Sequence, residues 1–176
     1  MPDLPRPSPL ASHWALDPNL CFLNHGSFGA TPRAVMAHQS EADPVRFFVE
    51  EHEGVMDDVR RSLGAFLDCD WDSLALIPNA SHGVATVMHN IVLAGRLGAG
   101  DEVIVNAHEY PACQNTMRWA ASRVGASVVL ADVPFPIASP DAVIEAYLRA
   151  VTPRTRLALV SHVTSPTGLV LPVEKL

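Results

Sequence analysis

The sequence predicts an α/β chain: a mainly parallel sheet flanked by helices, preceded by an N-terminal arm and helices. Short, largely apolar runs at Leu74–Ile77, Glu102–Val105, Ser127–Ala131 and Arg156–Val160 alternate with helical stretches. Runs that do not alternate polar with apolar residues suit strands buried on both faces. Helices between them supply the crossovers that parallel pairing needs, and right-handed crossovers bring the strand C-terminal ends to one edge of the sheet.

Residues 1–20 are rich in proline and polar, and form the expected arm. Residues 21–70 are expected to hold a loop and a helical segment. Asn24-His25-Gly26-Ser27-Phe28-Gly29 is turn-rich, and Thr31-Pro32 reads as an N-cap followed by proline in the first helical position. A second, longer helix is expected from Pro44, with Val45, Phe48, Val49, Val55, Val59, Leu63 and Phe66 as its apolar stripe. Within residues 71–176, helices are expected over Ser81–Leu93, Pro111–Val124 and Pro140–Val151. Gly100-Asp101 marks a turn, and Gly125 stops the middle helix.

A chain of 176 residues can bury one sizeable core, and 48% hydrophobic against 18% charged residues excludes a disordered tail or a coiled coil. The net charge of -7, with 12 scattered Lys and Arg, argues against a nucleic-acid surface, which needs clustered cations. Cys21, Cys69 and Cys113 lie far apart, so reduced thiols are expected rather than a disulfide framework or zinc ribbon. No apolar run has the length of a membrane span, and the start lacks the apolar core of a signal peptide. The expected protein is soluble and cytoplasmic, with no membrane or nucleic-acid partner and no metal.

Three strand ends carry unusual polar segments, at the edge where open α/β sheets bind ligands. After Leu74–Ile77 comes Pro78-Asn79-Ala80-Ser81-His82-Gly83, where a helix start would aim free N–H groups at an anion. Taken alone, Ser81 reads as an ordinary cap. After Glu102–Val105 comes Asn106-Ala107-His108-Glu109-Tyr110-Pro111-Ala112. Ala112 stands where a zinc-binding HExxH helix needs histidine, and Pro111 breaks that helix. Tyr110 could stack on a flat ring, or pack as an ordinary aromatic at a helix start. After Arg156–Val160 comes His162-Val163-Thr164-Ser165-Pro166-Thr167-Gly168, a hydroxyl-rich turn. No dinucleotide fingerprint, P-loop or nucleophile elbow is present.

Five segments in order resemble the class V aminotransferase family of pyridoxal 5'-phosphate (PLP) enzymes, which includes cysteine desulfurases and isopenicillin N epimerase-like proteins. They are FLNHGSFGATPRAV from Phe22, DPVRFF from Asp43, NASHGV from Asn79, HEYPAC from His108 with Trp119 following, and SHVTSPTGLVLPV from Ser161. The resemblance is greatest to the epimerase-like branch and implies the PLP-dependent transferase fold, type I, with residues 71–176 as the first part of its large domain. It implies that Ala80, Ser81 and His82 hold the cofactor phosphate and that Tyr110 stacks on the pyridine ring, where desulfurases carry histidine. Ser165 would lie near the ring's 3-oxygen, where relatives often carry asparagine. Asn24, His25, Gly26 and Ser27 would line the substrate side.

The resemblance further implies PLP chemistry at Cα or Cβ of an amino-acid substrate: epimerisation, transamination or elimination. It implies a homodimer in the full-length form. In this family the Schiff-base lysine lies well downstream, whereas the single lysine here is Lys175, beside the last residue. Lys175 is therefore not expected to be that lysine. The chain is expected to be an N-terminal fragment, inactive alone, from a truncated reading of a longer gene. The alternative is a non-catalytic phosphate- or partner-binding α/β domain.

Overall fold

The computed structural model describes residues 6, 8–25, 29–47, 49 and 52–176. The chain divides into two compact units, Met1–Ala75 and Leu76–Leu176. Among the described residues no helix is long and apolar enough to cross a membrane, and no group of three or more His, Cys, Asp or Glu could hold a metal ion.

In the first unit the arm is pinned where the Trp14 indole donates to the Ala30 carbonyl at 3.0 Å and Trp14 bridges to Pro32. Helix α1 spans Arg33–Glu41, one residue later than expected. Pro32 is its N-cap rather than its first helical residue, because its ψ of 143° is still extended. The long helix expected from Pro44 also starts differently. Pro44–Arg46 forms a single turn, α2, on which the Asp43 carboxylate accepts the Val45 and Arg46 N–H groups. Helix α3 then covers His52–Leu67. Val45 and Val49 are exposed, and Phe48 lies outside the described residues. Val55, Val59, Leu63 and Phe66 do share one face of α3, but that face lines an open groove rather than a core. The last turns of α3 close on Trp71, with the Arg60 and Arg61 guanidinium groups 5.1 and 4.5 Å from its ring. Gly64 permits this approach, since a Cβ there would sit 2.8 Å from Cβ of Trp71.

The second unit runs α4 (Ala80–Leu93), β1 (Glu102–Asn106), α5 (Pro111–Val124), β2 (Ser127–Ala131), α6 (Pro140–Ala150) and β3 (Thr155–Leu159). The strands form a parallel sheet in the order β2-β1-β3. Val103 pairs with Val128 on one side and with Leu157 on the other. All five residues of β1 are buried: the apolar Val103–Val105 as the run predicts, and the polar Glu102 and Asn106 at its two ends with hydrogen-bond partners. Its pleat divides them between two cores. Ile104 packs with Val143, Ala146 and Tyr147 of α6, while Val103 and Val105 pack with Met88 of α4 and Met117 and Ala120 of α5. Helices therefore cover both faces. Gly125, at φ +73°, ends α5 in the left-handed conformation that glycine adopts without strain.

One expected strand is absent. Leu74 is extended, with φ -89° and ψ 133°, but residues 74–77 join no ladder among the described residues. Extended propensity is local, whereas a strand requires a partner, and both neighbours of β1 are already supplied by β2 and β3. Leu76 and Ile77 remain exposed.

At the N-terminal end of the sheet the buried Glu102 carboxylate accepts hydrogen bonds from the Thr152 hydroxyl and the Arg154 guanidinium, which ties β1 to the connection entering β3. The Thr152 hydroxyl first, and Arg154 second, hold its carboxyl below the usual range, against the opposing effect of burial. A lowered folded pKa means that this stabilisation is complete above the unfolded glutamate range and fades as pH falls through about 4 and below. Glu102→Gln should therefore lower the urea midpoint at pH 7 while flattening its decline towards pH 3. An acid limb as steep as in the unmodified chain would contradict this role.

Candidate functional site

The parallel order places the ends of β1 and β3 at one edge of the sheet, and the loops leaving them meet there. Helix α4 reaches β1 through the short connection 94–101, so its C-terminus lies near the opposite edge. Fourteen residues at a rise of about 1.5 Å give it about 21 Å of length, enough to return its first turn to the edge of the strand C-terminal ends.

That first turn contains three of the expected binding residues. Its cap is Asn79, whose Oδ1 accepts the His82 N–H at 2.9 Å; Ser81 is not the cap but occupies the second helical position. With the His82 amide engaged, the Ala80 and Ser81 amides have no acceptor within the helix. Ala80 and His82 are exposed and Ser81 half-buried. The turn lies close against the preceding segment: a Cβ on Gly83 would fall 2.5 Å from Cδ1 of Ile77.

The loop after β1 is held by buried polar groups. Asn106 is fully buried; its amide donates to the Tyr147 hydroxyl at 2.9 Å, and its Oδ1 accepts the His108 N–H at 2.7 Å. The Tyr147 hydroxyl donates onward to the Leu159 carbonyl at 3.4 Å. Gln114 of α5 donates to the carbonyls of Asn106 and Glu109, both at 3.3 Å. The His108 ring Nε2 lies 2.9 Å from the Val133 carbonyl, which fixes it as the protonated nitrogen. Tyr110 is the N-cap of α5 and its ring is half-exposed. Glu109 is 2% exposed, and its Oε1 accepts the Tyr110 N–H at 2.8 Å and the Ser161 hydroxyl at 2.7 Å. Its Oε2 is buried without a partner among the described residues.

The third segment folds back on itself. Val163 bridges Val170, and the Thr164 hydroxyl, in a residue buried against this turn, accepts the Leu169 N–H at 2.9 Å. Gly168, at φ +63°, makes the reversal. Ser165 stands exposed near the tip. Burial raises the Cys113 thiol above its usual range, with the Glu109 charge adding to the effect. Burial likewise raises the Tyr147 hydroxyl, against the hydrogen bond from Asn106. Neither is a nucleophile or base at neutral pH.

Ala80, Ser81, His82, Tyr110 and Ser165 thus all belong to the second unit, and Tyr110 and Ser165 lie on segments that leave the C-terminal ends of β1 and β3. Asn24 and His25 lie in the first unit, exposed, with the His25 ring edge-on to Phe22 at 4.8 Å. Gly26 and Ser27 lie outside the described residues. Lys175 sits exposed in the terminal turn Val173–Lys175. The residues that sequence reasoning missed are those holding the loops: Asn79, Asn106, Glu109, Tyr147 and Ser161. Asn79, Asn106 and Ser161 fall within the segments singled out in the sequence without a role of their own, Glu109 reads there only as half of a metal motif, and Tyr147 draws no notice.

The chain belongs to the aminotransferase class-V family, whose model matches residues 38–176. Among curated relatives it is 34% identical to an isopenicillin N epimerase of Amycolatopsis lactamdurans, over 95% of this chain and 45% of that protein. It is 28% identical to a probable chloroplastic L-cysteine desulfhydrase of Arabidopsis thaliana, over 91% of this chain and 37% of that protein. The chain thus spans less than half the length of these relatives. Its fold is shared with the cystine C-S lyase C-DES, solved in complex with cysteine persulfide, with TM-score 0.67 and 24% identity over 90% of this chain and 42% of that one.

Asn79→Ala removes the cap of α4 and should cost about 1 kcal/mol of stability. Asn79→Ser should recover most of it, as read from urea midpoints. Equal losses for the two variants would show that the cap contributes nothing.

Proposed function

We propose that these residues form the N-terminal part of a PLP-dependent enzyme that transforms an amino acid by epimerase-, aminotransferase- or lyase-type chemistry at Cα or Cβ. What supports this reading is that the Tyr110 loop and the Ser165 turn leave the C-terminal ends of adjacent parallel strands and are tied by the Glu109–Ser161 hydrogen bond, in a chain of the class-V family that carries the α4 cap segment in the same unit. In this reading residues 1–20 are an arm, 21–70 a loop and helical segment, and 71–176 the first part of the large cofactor-binding domain. A homodimer and a cytoplasmic location complete the proposal.

The residues present fit the cofactor. The Ala80 and Ser81 amides, which have no acceptor among the described residues, and the Ser81 hydroxyl form a donor set suited to a phosphate. The exposed Tyr110 face is available to a planar ring. When bound, the group supplies an electron sink that acidifies the substrate Cα–H. Here Ala80, Ser81 and His82 would hold the phosphate, Tyr110 would stack on the ring, and Ser165 would offer a hydroxyl near its 3-oxygen. The substrate-side role of Asn24, His25, Gly26 and Ser27 rests on the sequence resemblance alone. Holding ring and phosphate together orients the labile bond, which lowers the entropic part of the barrier. No residue of this chain is assigned the lysine role.

Relatives named as epimerase and as desulfhydrase support amino-acid chemistry without choosing between outcomes. Tyrosine at position 110, where the resemblance gives desulfurases a histidine, disfavours desulfurase chemistry that uses that histidine for proton transfer.

Expressed from its whole reading frame, the protein should show a near-visible absorbance band that borohydride abolishes. A colourless protein unaffected by added PLP would overturn the proposal. Tyr110→Ala should weaken cofactor retention about 3- to 10-fold, the loss expected for one aromatic stacking contact. Unchanged occupancy would refute the stacking role.

A further inference from the structure

We infer that Glu109 is the positioning residue for Tyr110, tying the ring-bearing end of β1 to the end of β3 through its buried carboxyl group. The inference rests on the reading of Tyr110 as the residue that stacks on the cofactor ring.

The Tyr110 side chain makes no hydrogen bond or ring contact among the described residues and is 47% exposed. No hydrogen bond or ring contact among the described residues orients the ring, so its direction depends on the backbone that carries it. That backbone is held on both sides: its N–H donates to Glu109 Oε1 at 2.8 Å, and its carbonyl accepts the Gln114 N–H at 3.0 Å. Tyr110 caps α5 without a side-chain hydrogen bond, so the neighbouring carboxylate takes over the fixing of this helix entry. The same Oε1 accepts the Ser161 hydroxyl at 2.7 Å, two residues beyond the end of β3. Glu109 thus sets the spacing between the tyrosine and the segment that leads to Ser165.

The carboxyl is poorly placed for stability alone. Glu109 is 2% exposed, and its Oε2 has no partner among the described residues. A buried acceptor left unsatisfied is costly, and apolar replacements of buried charged groups are often neutral or stabilising. A residue needed only for packing would not carry this group; one needed to accept two hydrogen bonds at a single oxygen would. His108 gives the loop a second tether, on the opposite side, at the Val133 carbonyl.

The test uses Glu109→Ala, Glu109→Gln and Ser161→Ala in the protein expressed from its whole reading frame. It has two readouts: hydrogen exchange at the Tyr110 amide without cofactor, and the dissociation constant of PLP. Glu109→Ala should speed Tyr110 exchange about tenfold or more, as expected for losing a hydrogen bond to a charged group. It should weaken PLP binding in parallel. Glu109→Gln, whose amide oxygen can accept both hydrogen bonds, should restore both values to within about threefold of the unmodified protein. Ser161→Ala should fall between them, and decides the matter if Glu109→Ala does not fold. Unchanged exchange in a folded Glu109→Ala or in Ser161→Ala overturns the proposal. So does faster exchange with unchanged PLP affinity, or a Gln variant as impaired as the Ala variant. If the unmodified protein binds no PLP, the functional reading has failed, while the exchange order still reports separately whether the tether exists.

Discussion

Burial of β1 from both faces is the constraint on which the rest of the second unit depends. A five-residue strand with every position buried needs neighbours along both edges and helices over both faces, and the sequence supplies them in turn. The apolar side chains of Val103, Ile104 and Val105 each contribute about 1.5–3 kcal/mol by leaving water. An exposed ion pair such as Arg149 with Glu145 contributes about 0–1 kcal/mol. The core therefore outweighs surface charge in setting where the strand ends point. With β1 fixed, polar residues can collect at its C-terminal edge without threatening the fold.

Much of this arrangement was legible in the chain itself. Pro111 and Gly125 bracket α5, and Ser127–Ala131 forms β2 over the expected span, because proline, glycine and apolar runs act through local geometry. Leu74–Ile77 failed as a strand for the opposite reason: its composition suits a sheet, but pairing is a property of two segments. Helix α4 starts at Ala80, one residue before the expected Ser81, and its cap is Asn79, two residues earlier; both Asn79 and Ser81 suit a cap, and only the hydrogen bond to His82 separates them. On the site, the segments could be foreseen and their supports could not. Asn106 meets Tyr147 across 41 positions and Glu109 meets Ser161 across 52, and no local pattern announces such contacts.

The His108-Glu109 pair illustrates the difference between a motif and a contact. Read along the chain it is half of a metal site. In the fold the two side chains face different neighbours, the Val133 carbonyl beyond β2 and the Ser161 hydroxyl beyond β3. The loop carrying Tyr110 is thereby stretched between the ends of both outer strands. Adjacent polar residues leaving a buried strand do not share a ligand here; they divide the work of bracing one loop.

The outer strands differ from β1 in a further respect. Among the described residues β2 and β3 each have one ladder partner, and their residues are less completely buried. Both outer strands therefore present an edge unpaired among the described residues, along which a further strand could pair. The same openness is a hazard when no such strand arrives, because unpaired N–H and C=O rows template pairing between molecules.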